Sequence, residues 1–115
     1  MKILIISDLH SDNYTQFARL LDSGVNSRLQ ACLDVLSQVN GICQSKEITD
    51  IFFLGDLFNS RTAVPIDVYY LVYEKLKEIS DDREIWLLVG NHDLFLKRGN
   101  KISSTYPFES ICHVI

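Results

Sequence analysis

Three short, continuous apolar runs punctuate the chain: Ile3 to Ile6, Ile51 to Leu54 and Ile85 to Val89. They are rich in β-branched residues and do not alternate with polar ones. Runs of this kind read as strands of a parallel sheet buried on both faces, because a strand with one wet face would alternate. Between the first two, Val25, Leu29, Cys32, Leu33, Leu36, Val39 and Ile42 recur every three or four residues. That spacing predicts one apolar stripe on a helix of about four turns. Asn26 or Ser27 can cap its start, and Gly41 is expected to weaken its end. Between the second and third runs, Pro65 suits a first helical turn, and Val68, Leu71, Val72, Leu76 and Ile79 keep helical spacing until Ser80-Asp81-Asp82 breaks it. A shorter pattern, Tyr14, Phe17, Ala18 and Leu21, predicts an extra helical turn or two before the first long helix.

Strand, helix, strand, helix, strand implies right-handed crossovers and an α/β fold, a parallel-rich sheet flanked by helices. Beyond residue 93 the pattern thins. Residues 94–105 read as a loop or short helix, and Ile111 to Ile115 as a fourth strand at the sheet's edge. A bare edge strand with no helix after it is something ordinary domains avoid. The expectation is therefore one partial domain over 1–115, completed by further chain, by a second polypeptide or by a second copy as a homodimer.

Composition narrows this picture. At 115 residues and 47% hydrophobic content the chain can bury one core but not two. With 11 Lys and Arg against 15 Asp and Glu, the net charge of −4 excludes coating nucleic acid by bulk charge. Cys32, Cys43 and Cys112 are odd in number and lack CxxC spacing, so they predict reduced thiols rather than a disulfide framework or zinc ribbon. The apolar run after Met1-Lys2 is too short for a signal peptide or a membrane span, which predicts a cytoplasmic protein without membrane contact.

Three polar clusters stand directly after the apolar runs: Asp8-Leu9-His10, Gly55-Asp56 and Gly90-Asn91-His92-Asp93. In an open parallel sheet, ligand-binding side chains come from the loops at the carboxyl ends of the strands, so the fold should gather all three clusters in one crevice. Carboxylate, imidazole and amide oxygen together suit Mn²⁺, Fe²⁺ or Zn²⁺ and suit Ca²⁺ poorly. Asp56 has two oxygens and could bridge a second ion at roughly 3.5–4 Å. Gly55 and Gly90 let the backbone turn sharply. Singly, each cluster also reads as an ordinary turn or Asx turn. Their joint occurrence, each after a different strand, is what points to a metal site.

In this order the clusters resemble the calcineurin-like metallophosphoesterase superfamily. The stretches Gly55-Asp56-Leu57-Phe58-Asn59-Ser60-Arg61 and Val89-Gly90-Asn91-His92-Asp93 further resemble its SbcD-type branch of DNA double-strand-break repair exonucleases. The resemblance spans residues 2–93, the amino-terminal half of a family catalytic domain. It implies that Asp8 and His10 hold a first metal, Asp56 bridges, Asn91 holds a second, His92 acts on the leaving oxygen, and Asp93 orients His92 or its loop. It implies two divalent ions, Mn²⁺ foremost, DNA as substrate, and an ATPase partner subunit. Family members carry further histidine ligands in their second half, and the remaining histidine here, His113, lies inside the last strand pattern and is expected to be structural. With Asp8, His10 and Asp56 for one ion and only Asp56 and Asn91 for another, these 115 residues alone are expected to bind one ion weakly and to turn over little or nothing.

Residues 94–108 contain Lys97, Arg98 and Lys101, no acidic residue, and interleaved Phe95, Tyr106 and Phe108. Beside a phosphate-cleaving crevice, this segment is expected to grip a DNA backbone and stack bases, with Arg61 as a further phosphate contact. Alternative readings are a phosphomonoesterase or cyclic-nucleotide phosphodiesterase using the same metal centre, and an inactive α/β interaction module. Tyr69, Tyr70 and Tyr73 on the second helix are expected to pack on the core rather than face a partner.

Overall fold

The computed structural model describes residues 2–60, 63–88 and 106–115, with the side chains of Tyr106 and Pro107 excepted. The apolar runs form β1 (Ile3–Ile6), β2 (Asp50–Phe53) and β3 (Glu84–Leu87), joined by α1 (Ser27–Lys46) and α2 (Ile66–Ser80). A short 3-10 helix, Tyr106–Ser110, precedes β4 (His113–Val114). All pairings are parallel and the strand order is β1-β2-β3-β4. This is the α/β architecture read from the sequence, a parallel sheet flanked by two helices.

Capping explains where the helices begin and end. The Asn26 side chain accepts hydrogen bonds from the amides of Arg28 and Leu29, satisfying two of the free donors at the start of α1. Gly41, expected to weaken the end of this helix, lies within it. The helix continues to Lys46 and stops where Glu47 turns left-handed at φ 57°, its amide bonding to the Cys43 carbonyl, while Lys2 Nζ donates to the Lys46 carbonyl at 3.0 Å. Pro65 precedes α2, and lacks an amide that the first turn could not have used.

A sequential strand order with crossovers of one hand puts both helices on the same face of the sheet. Leu29, Leu33, Leu36, Val39 and Cys43 of α1 and Val68, Val72, Leu76 and Ile79 of α2 are buried with Ile51, Phe53, Ile85 and Leu87 in one core. The opposite face corrects the expectation of strands covered on both sides. Ile3 and Ile5 are 45% and 60% exposed, and Leu54, Leu88 and Ile115 are exposed as well. Across this face the register aligns Ile5, Phe52, Trp86 and His113. Phe52 stacks on Trp86 at 6.0 Å and Trp86 on His113 at 4.1 Å. The runs are apolar on both sides, yet among the described residues only one side is roofed.

Two further expectations are corrected. Residues 14–21 form no helix: Leu20 bridges antiparallel to Asn26, Arg19 and Ser27 bond to each other at 2.8 and 2.9 Å, and Phe17 is 95% exposed. The segment bonds to the start of α1 instead of to itself, which removes the local ladder a helix needs. Phe108 is not a base-stacking residue. It is wholly buried, its ring centroid 5.4 Å from both Tyr69 and Tyr73 and 5.9 Å from Phe58, so it closes the core beside the first turns of α2. Tyr69 and Tyr73 thus pack inward, while Tyr70 is 59% exposed. Residues 94–105, expected to form a loop or short helix, lie outside the described residues.

The one-sided core predicts unequal costs of truncation. Leu36→Ala should lose about 3 kcal/mol, while Ile5→Ala should lose under about 1 kcal/mol, measured by denaturant unfolding of each variant. Equal losses would mean that Ile5 is covered.

Candidate metal centre

Beyond their last strand residues, β1 and β2 remain paired through the loops that follow. Leu54 N donates to Ile6 O at 2.8 Å, Asp8 N to Gly55 O at 3.2 Å, His10 N to Asp56 O at 2.9 Å, and Ser11 N to Leu57 O at 3.0 Å. Asn59 N returns a bond to Ser11 O at 3.1 Å. A side-chain bond extends the seam, Asn59 Nδ2 donating to Asp12 Oδ2 at 3.1 Å, and Asn13 Nδ2 ties the first loop to α2 by donating to both oxygens of Asp67 at 3.0 and 3.1 Å. The two loops are therefore laced together by main chain, and side-chain positions follow from that lacing.

The loops pair only because their backbones bend unusually. Asp8, His10 and Asp56 all adopt left-handed conformations, at φ 59°, 48° and 58°, with Gly55 at φ 107° between the β2 strand and Asp56. For non-glycine residues such a backbone costs on the order of 1–3 kcal/mol and persists only where the surroundings enforce it. Gly55 meets its turn at little cost, as read from the sequence.

These bends bring Asp8, His10 and Asp56 together, with one ligand atom of each within 4.8 Å of the others. His10 Nε2 lies 3.3 Å from Asp8 Oδ1. Asp8 is exposed, while His10 and Asp56 are half-buried at the rim of the sheet. The Ser7 hydroxyl, 2.9 Å from Asp8 Oδ2, is the largest cause holding the Asp8 carboxyl below its ordinary 3.8, followed by Asp56 and His10 beside it. Asp8 is thus kept ionised, the form a metal requires. Two carboxylates and an imidazole at this spacing fit a borderline divalent ion of the Mn²⁺, Fe²⁺ or Zn²⁺ kind, and leave coordination positions for water or substrate.

The other candidates divide into two groups. Asn91, His92, Asp93, Arg61, Lys97, Arg98 and Lys101 lie outside the described residues. His113 is described and sits in β4, its Nε2 2.6 Å from Glu84 Oε2 and its ring against Trp86, away from the Asp8, His10 and Asp56 group. Sequence reading missed the residues that stand behind the loops: Ser7, Asp12, Tyr14 and Cys32. A polar stretch directly after Asp8-Leu9-His10 is the available signal for Asp12, whereas the spacing of Tyr14 with Phe17 and Leu21 reads as helical.

Comparison with known proteins agrees with the fold. A family model, calcineurin-like phosphoesterase, matches residues 1–113. No curated protein sequence matches the chain. Among solved structures, the Pseudomonas putida nuclease MPE is similar with a TM-score of 0.61 at 17% identity, over 98% of this chain and 46% of that one. The chain therefore spans about half the length of that nuclease, and the likeness is one of fold.

Asp8 supplies a test of the loop's electrostatics. A depressed folded-state value stabilises the fold above pH 3.8, and the contribution is lost as pH falls through the lowered value. Ser7→Ala should move the Asp8 carboxyl back toward 3.8, followed by carboxyl-carbon NMR titration. An unchanged titration would remove Ser7 as the main cause.

Proposed function

This chain belongs to the calcineurin-like phosphoesterase family, and from that premise we propose that it is the amino-terminal half of a metal-dependent phosphodiester hydrolase acting on DNA, of the SbcD nuclease type. The observation that carries the reading is the joint left-handed geometry of Asp8, His10 and Asp56, which sets their donor atoms within 4.8 Å at the carboxyl edge of a parallel sheet. The family uses divalent metals, and these three residues would hold one. Asp56, with two carboxylate oxygens, would share a second with Asn91.

When bound, such ions supply Lewis acidity, which acidifies a water and draws charge from the phosphate. The chain's own residues do the rest. Asp8, kept ionised by Ser7, and His10, held by the loop, fix where the phosphate can sit. His92, with Asp93 orienting it, would donate a hydrogen bond or proton to the departing oxygen. Arg61, Lys97, Arg98 and Lys101 would pair with backbone phosphates without reading sequence. DNA is favoured over small phosphate esters by the likeness of residues 55–61 and 89–93 to SbcD-type nucleases and by the fold shared with a bacterial nuclease. Mn²⁺ is the proposed metal and the cytoplasm the proposed location. No helix among the described residues is long and apolar enough to cross a membrane. An ATPase subunit is a proposed partner.

The open face of the sheet bears on activity. It is apolar and ends at the metal loops, so the reading includes further polypeptide, in the same chain or another, that covers it and adds ligands. The test pairs binding with cleavage. The chain should take up Mn²⁺ weakly in calorimetry, and Asp56→Asn should weaken that by about tenfold or more. Supplemented with Mn²⁺ and a completing half, it should degrade linear duplex DNA faster than p-nitrophenyl phosphate. Hydrolysis of the small ester alone would favour a phosphomonoesterase, and absence of Mn²⁺ binding at millimolar metal would favour an inactive module.

A further inference from the structure

His10 is held more completely than its neighbours. Two peptide groups flank its Cα, and each is hydrogen-bonded at both ends. In the peptide linking Leu9 to His10, the amide donates to Asp56 O at 2.9 Å and the carbonyl accepts from Cys32 Sγ at 3.6 Å. In the peptide linking His10 to Ser11, the amide donates to Leu57 O at 3.0 Å and the carbonyl accepts from the Tyr14 hydroxyl. The two amides face β2's loop. Both carbonyls face groups on the α1 side.

We infer that Tyr14 and Cys32 are positioning residues of the metal centre, which hold the left-handed turn at His10 and so aim its imidazole at the Asp8 and Asp56 carboxylates. The inference rests on the reading that Asp8, His10 and Asp56 bind a metal.

Both residues are anchored to one helix. Cys32 lies within α1, and Arg28, one turn earlier on the same face, places its guanidinium carbon 3.8 Å from the centre of the Tyr14 ring. Asn26 caps α1 with its side-chain oxygen and donates with its side-chain nitrogen to the Tyr14 carbonyl at 2.7 Å. Tyr14 is thus gripped at ring and backbone by the start of α1, and its hydroxyl carries that grip to His10. A left-handed residue has two easily varied dihedrals, and fixing the peptide planes on both sides removes them. Without the two carbonyl contacts, the amide bonds to β2's loop would still keep His10 nearby. Its φ could then relax toward the right-handed region, swinging the side chain away from the carboxylates.

The test is Mn²⁺ titration of the 115-residue chain, by calorimetry and by the EPR signal of free Mn²⁺, with thermal melts alongside. Tyr14→Phe and Cys32→Ala should each weaken Mn²⁺ affinity by about three- to tenfold. Cys32→Ser should recover part of the loss, because its hydroxyl, on a bond shorter than the thiol's, donates to the Leu9 carbonyl once the turn and helix close by several tenths of an ångström. Tyr14→Phe and Cys32→Ala binding at wild-type affinity, while Asp56→Asn does not, overturns the positioning role and leaves the metal site standing. An affinity loss that Cys32→Ser fails to recover, matched by an equal fall in melting temperature for all variants, makes the role merely structural and also overturns it. A wild-type chain that takes up no Mn²⁺ overturns the metal site and this inference together.

Discussion

The pairing of β1 with β2 beyond their strand ends is the constraint on which the site depends. Parallel neighbours present their carboxyl ends on the same side, which brings the two loops close but does not align them. Alignment comes from the run of main-chain bonds from Asp8 to Asn59. Each bond fixes a peptide plane, and each fixed plane restricts the direction of a side chain. The left-handed bends at Asp8, His10 and Asp56 are what this lacing demands. Their cost is offset by packing elsewhere, since Leu57 and Phe58, in the same loop, are wholly buried in the core.

That core sits on one side of the sheet, and the site inherits its asymmetry. Both crossover helices pack on the same face because the strands are added in sequence order, and a fixed crossover hand then leaves no helix for the other face. A patch of Ile3, Ile5, Phe52, Leu54, Trp86 and Leu88 remains, larger than single scattered apolar residues would make. It ends at the loops that carry Asp8 and Asp56. Anything that covers the patch comes within reach of the candidate metal.

Much of the fold was legible, and particular residues show why the rest was not. Leu29, Leu33, Leu36 and Val39 announced α1, and Pro65 announced α2, because amphipathic spacing and a missing amide are local properties. Gly41 misled because helix propensity is a small local bias, overridden when both flanking turns are buried against the sheet. Tyr14 and Leu21 misled because their spacing with Phe17 matched a helix, while Tyr14 bonds to Asn26 and Leu21 to Val25 beside the start of α1. Phe108 looked like a surface aromatic in a basic segment, and its burial against Phe58, Tyr69 and Tyr73 is set by contacts far away in sequence.

Taken by itself, the sequence determined the strand and helix order, the α/β class and the residue types able to bind a divalent ion, since each is written in spacing and chemistry along the chain. Tertiary structure alone decided which sheet face is bare, that the expected convergence of Asp8, His10 and Asp56 runs through three left-handed turns, and that Tyr14 and Cys32 stand behind His10. The physical reason is the same in each case. These features depend on peptide groups bonded across loops and on the hand of the crossovers, and neither leaves a local mark on the side chains that the chain spells out.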